Sequence, residues 1–403
     1  MRQDLVYLLL IFGLLVVPRV LQRFNLPAPI TSLLLGLAAM LAFGDRVQDP
    51  VVALLSTIGI SSLFLFAGLE VDPAALRRGA TKLGVHLVIR AAGLVLVGWL
   101  GMRWAGLGWQ AAALLALALL TPSTGFILDT LERLGLGEDE RFWVTSKAII
   151  DELMALVVMF VVLQAGDPVQ LGISTAWMVG MVVGLPLLFI ALGRWVAPHA
   201  PGSEFSLLVM VGLVAAYITY RLGVYYLVGA FIAGFVARML RIRIPRLASD
   251  TNIHALRLFA TFFVPFYFFH AGTGISRDAL TWEAGLLGLA LTAAVLPLRV
   301  AMGWLQRRWL FGEARGASLN VSVALAPTLV FTLVLAEILY NRFQVSGTLF
   351  GALILYTTLN TLLPSLLLRT PFDLVPTGNG PAEHPEDRMN GSHEPVPARH
   401  PDD

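Results

Sequence analysis

Thirteen apolar runs alternate with short polar stretches along the chain, at 3–20, 28–44, 50–69, 84–102, 108–130, 143–164, 172–193, 204–221, 224–240, 255–274, 281–304, 317–338 and 345–368. Each is close to the roughly 20 residues that a helix needs to cross a bilayer. The pattern predicts an all-α polytopic membrane protein of about 13 transmembrane helices. Basic residues test the segmentation independently. The loops after odd-numbered runs hold 16 Lys and Arg, against 6 at the N-terminus and after even-numbered runs. By the positive-inside rule the N-terminus is expected outside and the C-terminus in the cytoplasm, in a cell membrane of bacterial inner-membrane type. Beyond the last run the sequence turns to Pro, Gly, His, Glu and Asp. It divides into a membrane domain at 1–371 and a tail at 372–403, expected to be disordered and cytoplasmic because it has too little apolar surface to fold.

Composition agrees with this reading. Hydrophobic residues make up 57% of the chain and charged residues 13%, about half the charged share of a soluble domain, roughly 25%. A net charge of +2 leaves no footprint for nucleic acid, and the absence of Cys excludes disulfides and thiolate metal sites. Residues 5–17 read as the core of a first span, since no small-residue cleavage motif follows them. There is no Walker A motif, and no nucleophile–base pair or metal-ligand cluster stands at convincing spacing. The chain is therefore expected to be neither an enzyme nor dependent on a cofactor.

Within so apolar a sequence, Asp151-Glu152 stands out. Carboxylates inside a span are costly and are kept where they bind an ion or carry a proton, the alternative being a structural ion pair. Two further runs are interrupted, at Thr121-Pro122-Ser123 and at Pro327-Thr328. Proline removes a helical hydrogen bond, and lipid cannot satisfy the freed backbone groups. The breaks fall in the fifth and twelfth runs, which cross in opposite directions, as two inverted-topology repeats require. Counted from the nearest cytoplasmic basic residue at about 1.5 Å per helical residue, Asp151 lies roughly 15 Å deep, Arg299 roughly 12 Å, and Pro122 and Pro327 roughly 17–18 Å. Acids, buried cation and breaks thus share one layer.

Adjacent helical residues diverge by about 100°, so one acid is expected to face Arg299 and the other a wet cavity. A guanidinium favours the ionised form of its partner, while burial favours the neutral form of a lone carboxyl. The unpaired acid can then hold either a proton or a metal cation. Thr121, Ser123 and Thr328 offer oxygen ligands or satisfy the broken backbone. Lys147, one turn before Asp151, is expected to line the cytoplasmic mouth; Arg90 is a rival partner for the acids, but is expected rather to snorkel to the inner interface.

Several stretches carry a resemblance to a known family. These are Pro27-Ala28-Pro29-Ile30 through Gly36, Phe64-Leu65-Phe66-Ala67-Gly68-Leu69-Glu70-Val71-Asp72, and Phe263-Val264-Pro265-Phe266-Tyr267-Phe268-Phe269 with Gly272. Over residues 5–368 the chain resembles the monovalent cation:proton antiporter superfamily, in the branch holding bacterial sodium/proton and potassium-efflux antiporters. The resemblance implies that Asp151 and Glu152 form the ion and proton site, with Arg299 as ion-pair partner and the breaks as crossed broken helices. It also implies a homodimer in membrane lipid, with a transport domain moving against a dimerisation domain. Two positions depart from the family pattern: Glu152 stands where Asp is usual, and Arg299 where Lys is frequent. The expected activity is exchange of protons for Na⁺ or K⁺ by alternating access. A passive cation channel or a non-transporting sensor on the same scaffold is the rival reading.

Overall fold

The computed structural model describes residues 3–24, 26–243, 245 and 248–368. It is nearly all helix, and the described residues include no strand. In chain order the helices are α1 (Gln3–Leu21), α2 (Ala28–Phe43), α3 (Pro50–Glu70), α4 (Pro73–Arg78), α5 (Ala80–Ala105), α6 (Trp109–Leu120), α7 (Thr124–Thr130) and α8 (Glu138–Gln164). They continue as α9 (Pro168–Ala191), α10 (Glu204–Arg221), α11 (Tyr226–Met239), α12 (Asp250–Thr273), α13 (Trp282–Leu305), α14 (Arg315–Ala324), α15 (Leu329–Phe343) and α16 (Gly347–Leu367).

Each of the thirteen predicted runs falls on one helix or on one broken pair. Among the described residues nine helical segments are long and apolar enough to cross a bilayer, or ten with the bent pair α14–α15 counted as one. Helices α2 and α11 are apolar but shorter. Helix α8 has the length, but Lys147, Asp151 and Glu152 interrupt its apolar character. The predicted tail lies outside the described residues.

Local chemistry sets several helix starts. Asp49-Pro50, Asp72-Pro73 and Asp167-Pro168 repeat one device. The Asp carboxylate caps the first turn, accepting from Val51 N at 2.8 Å, Ala74 N at 2.9 Å and Val169 N at 2.9 Å. Proline takes the first helical position, where no amide hydrogen is needed.

The helices pack as two groups. In the first, α3 and α12 cross at the centre, α2 packs on α12, α11 packs on α3, and α1 and α10 lie outside them. Two glycine crossings make this possible. A Cβ on Gly36 would collide with the Phe269 carbonyl, and one on Gly272 with the Leu33 carbonyl. A Cβ on Gly68 would likewise strike the Phe231 carbonyl, and one on Gly234 the Leu65 carbonyl. The α2–α12 and α3–α11 contacts are thus the same crossing made twice, each time between a helix of one repeat and a helix of the other. The second group sets α5 and α8 around the broken pair α6–α7, and α13 and α16 around the broken pair α14–α15. It holds the acids and both breaks. Helix α9 packs on α8 and α11, bridging the two groups.

Candidate functional site

The two breaks meet and stabilise each other. Helix α6 stops at Leu120 and α7 begins at Thr124; α14 stops at Ala324 and α15 begins at Leu329, with a 42° bend. The Ser123 amide donates to the Pro327 carbonyl at 2.8 Å, so the broken backbones bond directly to one another. Carbonyls freed at the end of α6 are taken by side chains from the opposite repeat. Thr332 Oγ1 donates to Ala118 O at 2.7 Å, and the Tyr356 hydroxyl donates to Leu119 O at 2.5 Å. The Thr328 and Thr357 hydroxyls share a bond of 2.9 Å. Thr121, Pro122, Ser123, Pro327 and Thr328 are all buried, and the breaks form one sealed polar layer.

Asp151 and Glu152 differ sharply in their partners, although each is only 1% exposed. Asp151 Oδ2 accepts from Arg90 Nε at 3.1 Å and Arg90 Nη2 at 2.8 Å, and its Oδ1 faces His86 Nε2 at 3.0 Å. The other His86 nitrogen faces Gln306 Oε1 at 3.0 Å, and Lys147 Nζ donates to the same oxygen at 3.3 Å. With Gln306 oriented by Lys147, both ring nitrogens of His86 face acceptors. Asp151 is therefore enclosed by the Arg90 guanidinium and the His86 ring. Glu152 Oε2 is buried without a hydrogen-bond partner, as is the Thr124 hydroxyl at the start of α7.

Arg299 makes different contacts from those expected. Among the described residues it forms no ion pair with Asp151 or Glu152. It donates from Nη1 to Ala326 O at 2.9 Å and from Nη2 to Leu325 O at 3.1 Å, with Tyr356 Oη 3.4 Å from Nη1. The physical reason is the break itself. It frees carbonyls with partial negative charge that lipid cannot satisfy, and the guanidinium on neighbouring α13 caps them. Arg90, expected at the interface, takes the carboxylate instead because it stands on α5, packed against α8. Lys147, expected at a mouth, is 1% exposed and reaches Gln306.

Two cavities adjoin this layer. One of about 70 Å³, lined by His86, Arg90, Lys147, Arg299 and Gln306, lies between α5 and α13 and has room for about two waters. A larger one, about 390 Å³, runs from Arg19, Gln22 and Arg257 to Gly125, Phe126 and Val330 beside the breaks. Its walls come from both helix groups. At the opposite end the groups are tied by polar bonds. Tyr225 Oη donates to Glu337 Oε2 at 3.0 Å, Arg342 donates to Gly223 O at 3.3 Å, and Gln164 Nε2 donates to Leu222 O at 3.1 Å; a second Arg342 bond, to Leu163 O at 2.7 Å, stays within the second group.

A paired acid beside a lone acid, at crossed broken helices between two helix groups, is an arrangement for handling cations inside a membrane. Comparison with known proteins agrees. Residues 8–373 match the family described as sodium/hydrogen exchanger, transmembrane. The chain belongs to that family. This exchanger is also similar to the probable Na(+)/H(+) antiporter 3 of Methanocaldococcus jannaschii, 25% identical over 282 residues, which cover 66% of this chain and 70% of the relative. Its fold matches two solved structures of the sodium proton antiporter MjNhaP1 from the same organism. One, at pH 8, has a TM-score of 0.64 at 15% identity, covering 90% of this chain and 95% of the other. The second, an electron-microscopy structure, has a TM-score of 0.62 at 16% identity, covering 91% and 96%. The exchanger is thus a multi-pass membrane protein of the monovalent cation:proton antiporter superfamily.

His86, Gln306, Tyr356 and Thr357 were not singled out from sequence. A signal existed for His86, which precedes Arg90 by one helical turn and so shares its face. Gln306 had none: a π-helical turn at Gln306–Leu310, continuing α13, brings it inward.

Proposed function

We propose that this exchanger carries Na⁺ across the membrane in exchange for protons, and that Glu152 is the group that holds one or the other. The observation that carries the reading is the contrast between the two acids. Asp151 is already paired with Arg90 and hydrogen-bonded to the His86 ring, whereas Glu152 is buried with an unpartnered oxygen. A lone buried carboxyl is stable only when protonated or when a cation sits on it. The Thr124 hydroxyl and the oxygens at the breaks are the further ligands within this layer. Thr121, Ser123 and Thr328 hold the broken backbone in place around them.

Exchange proceeds by alternating access. The cavity beside the breaks is the open route, on the side that the basic loops assign to the cytoplasm, and the Tyr225, Arg342 and Gln164 bonds close the outer side. The group containing α5–α8 and α13–α16 moves against the other, which also provides the face for a second copy of the chain. The test is proton flux in proteoliposomes under an imposed pH gradient, adding Na⁺, K⁺ or Li⁺ with and without a potassium/valinomycin clamp. Na⁺-dependent dissipation is the expected result, and the clamp reads whether net charge moves. Cation movement with no proton coupling would establish the channel instead, and no flux from folded protein would favour a sensor.

A further inference from the structure

Among the described residues, Asn360 has both side-chain polar atoms buried without a hydrogen-bond partner. It is 0% exposed on α16. One turn earlier on the same helix stand Tyr356 and Thr357, and both reach the crossing. Tyr356 contacts Leu119 O and Arg299, and Thr357 contacts Thr328. A buried amide with neither atom satisfied is rare in a folded protein. Here it belongs to a helix face that otherwise serves the breaks.

The internal repeat shows what this amide faces. Helices α5 and α8 flank the first break as α13 and α16 flank the second. Arg299 follows Arg90 by 209 residues, and Asn360 follows Asp151 by the same 209. In the first repeat Arg90 gives its Nε and Nη2 to Asp151. In the second, Arg299 Nε has no partner, and its other nitrogens lie on Leu325 O, Ala326 O and Tyr356. The second repeat therefore holds the equivalent donor and the equivalent acceptor with their bond unmade.

We propose that Asn360 is a positioning residue for the transported cation, serving as the second seat of Arg299. A guanidinium and an alkali cation cannot both occupy the Leu325 and Ala326 carbonyls, because like charges at that distance repel strongly in a dry site. When the cation takes those oxygens, Arg299 moves to Asn360 Oδ1, repeating the Arg90–Asp151 geometry. An amide accepts a guanidinium without pinning it, whereas a carboxylate there would hold Arg299 permanently. The inference rests on the exchange reading above and adds to it a competition between Arg299 and the cation.

The experiment measures apparent Na⁺ affinity in two ways: as KM for Na⁺-driven proton flux, and as Na⁺-induced thermal stabilisation of purified protein, which does not require turnover. Asn360→Ala removes the second seat, so apparent affinity should weaken roughly tenfold, the scale of one hydrogen bond to a charged group. Asn360→Asp strengthens the seat and should tighten it. In an Arg299→Gln background, Asn360→Ala should have no further effect, since the two residues act as one unit. Weakening by both Asn360 variants, or an undiminished Asn360→Ala effect without Arg299, would overturn the proposal. If Asn360→Asp does not fold, the double-variant cycle decides alone. Na⁺-coupled flux in the unmodified protein with either of those outcomes overturns only the seat; absence of that flux overturns the exchange reading, and the seat with it.

Discussion

At the scale of single residues, charge placement separates two adjacent acids into two functions. Asp151 is gripped twice by the Arg90 guanidinium and faces the His86 ring, so losing Arg90 leaves a buried carboxylate without its countercharge. Arg90→Ala should destabilise the protein by about 3–5 kcal/mol, read as a lower unfolding temperature in detergent. Arg90→Lys should recover part of this, because an ammonium keeps the charge but not the fork that grips one oxygen twice. An unchanged unfolding temperature in Arg90→Ala would mean that the pair contributes nothing to the fold. The acids themselves were legible in sequence, because charge inside an apolar run has few explanations. Their partners were less so: Arg90 was only the rival candidate, and His86 was missed. Arg90 lies on a helix that also faces lipid, where snorkelling is the common outcome, and only the packing of α5 on α8 shows that it turns inward. Arg299 was found, but its contacts here are break carbonyls and not an acid, because sequence does not reveal how many carbonyls a break leaves for it to cap.

At the scale of helices, the breaks and the glycine crossings do the positioning. Prolines made both breaks visible in sequence. The bonds that hold them together come from residues distant in the chain and had no local signature. Tyr356 is the clearest case. Its hydroxyl satisfies Leu119 O across 237 positions. Tyr356→Phe should cost about 1–3 kcal/mol by leaving that carbonyl unsatisfied, measurable by thermal unfolding; stability equal to the unmodified protein would show that another donor replaces it. The glycine crossings work by close approach. Gly234→Ala would drive a methyl into the Leu65 carbonyl, so α11 must separate from α3. That substitution should lower the unfolding temperature, whereas Gly180→Ala on α9, where a Cβ meets nothing, should not.

At the scale of the whole molecule, the two helix groups enclose a cavity on one side and are tied by hydrogen bonds on the other. The ties are polar and few, as suits contacts that must break in each cycle. Arg342→Ala removes one of them, to Gly223 O, together with the Leu163 O bond that positions the Arg342 side chain, and should shift the protein toward the outward-open form. The chain has no cysteine, so a single Val224→Cys beside the tied turn can report the shift with a membrane-impermeant maleimide. Labelling should quicken when Arg342→Ala is added, and an unchanged rate would show that these bonds do not hold the outer side closed. The most direct test of the central claim, that one carboxyl holds either the proton or the cation, is proton release when Na⁺ is added to purified protein in weakly buffered solution. The account predicts about one proton released per chain, since a cation displaces the proton of the group it binds, and none from Glu152→Gln. Undiminished release from Glu152→Gln would contradict it.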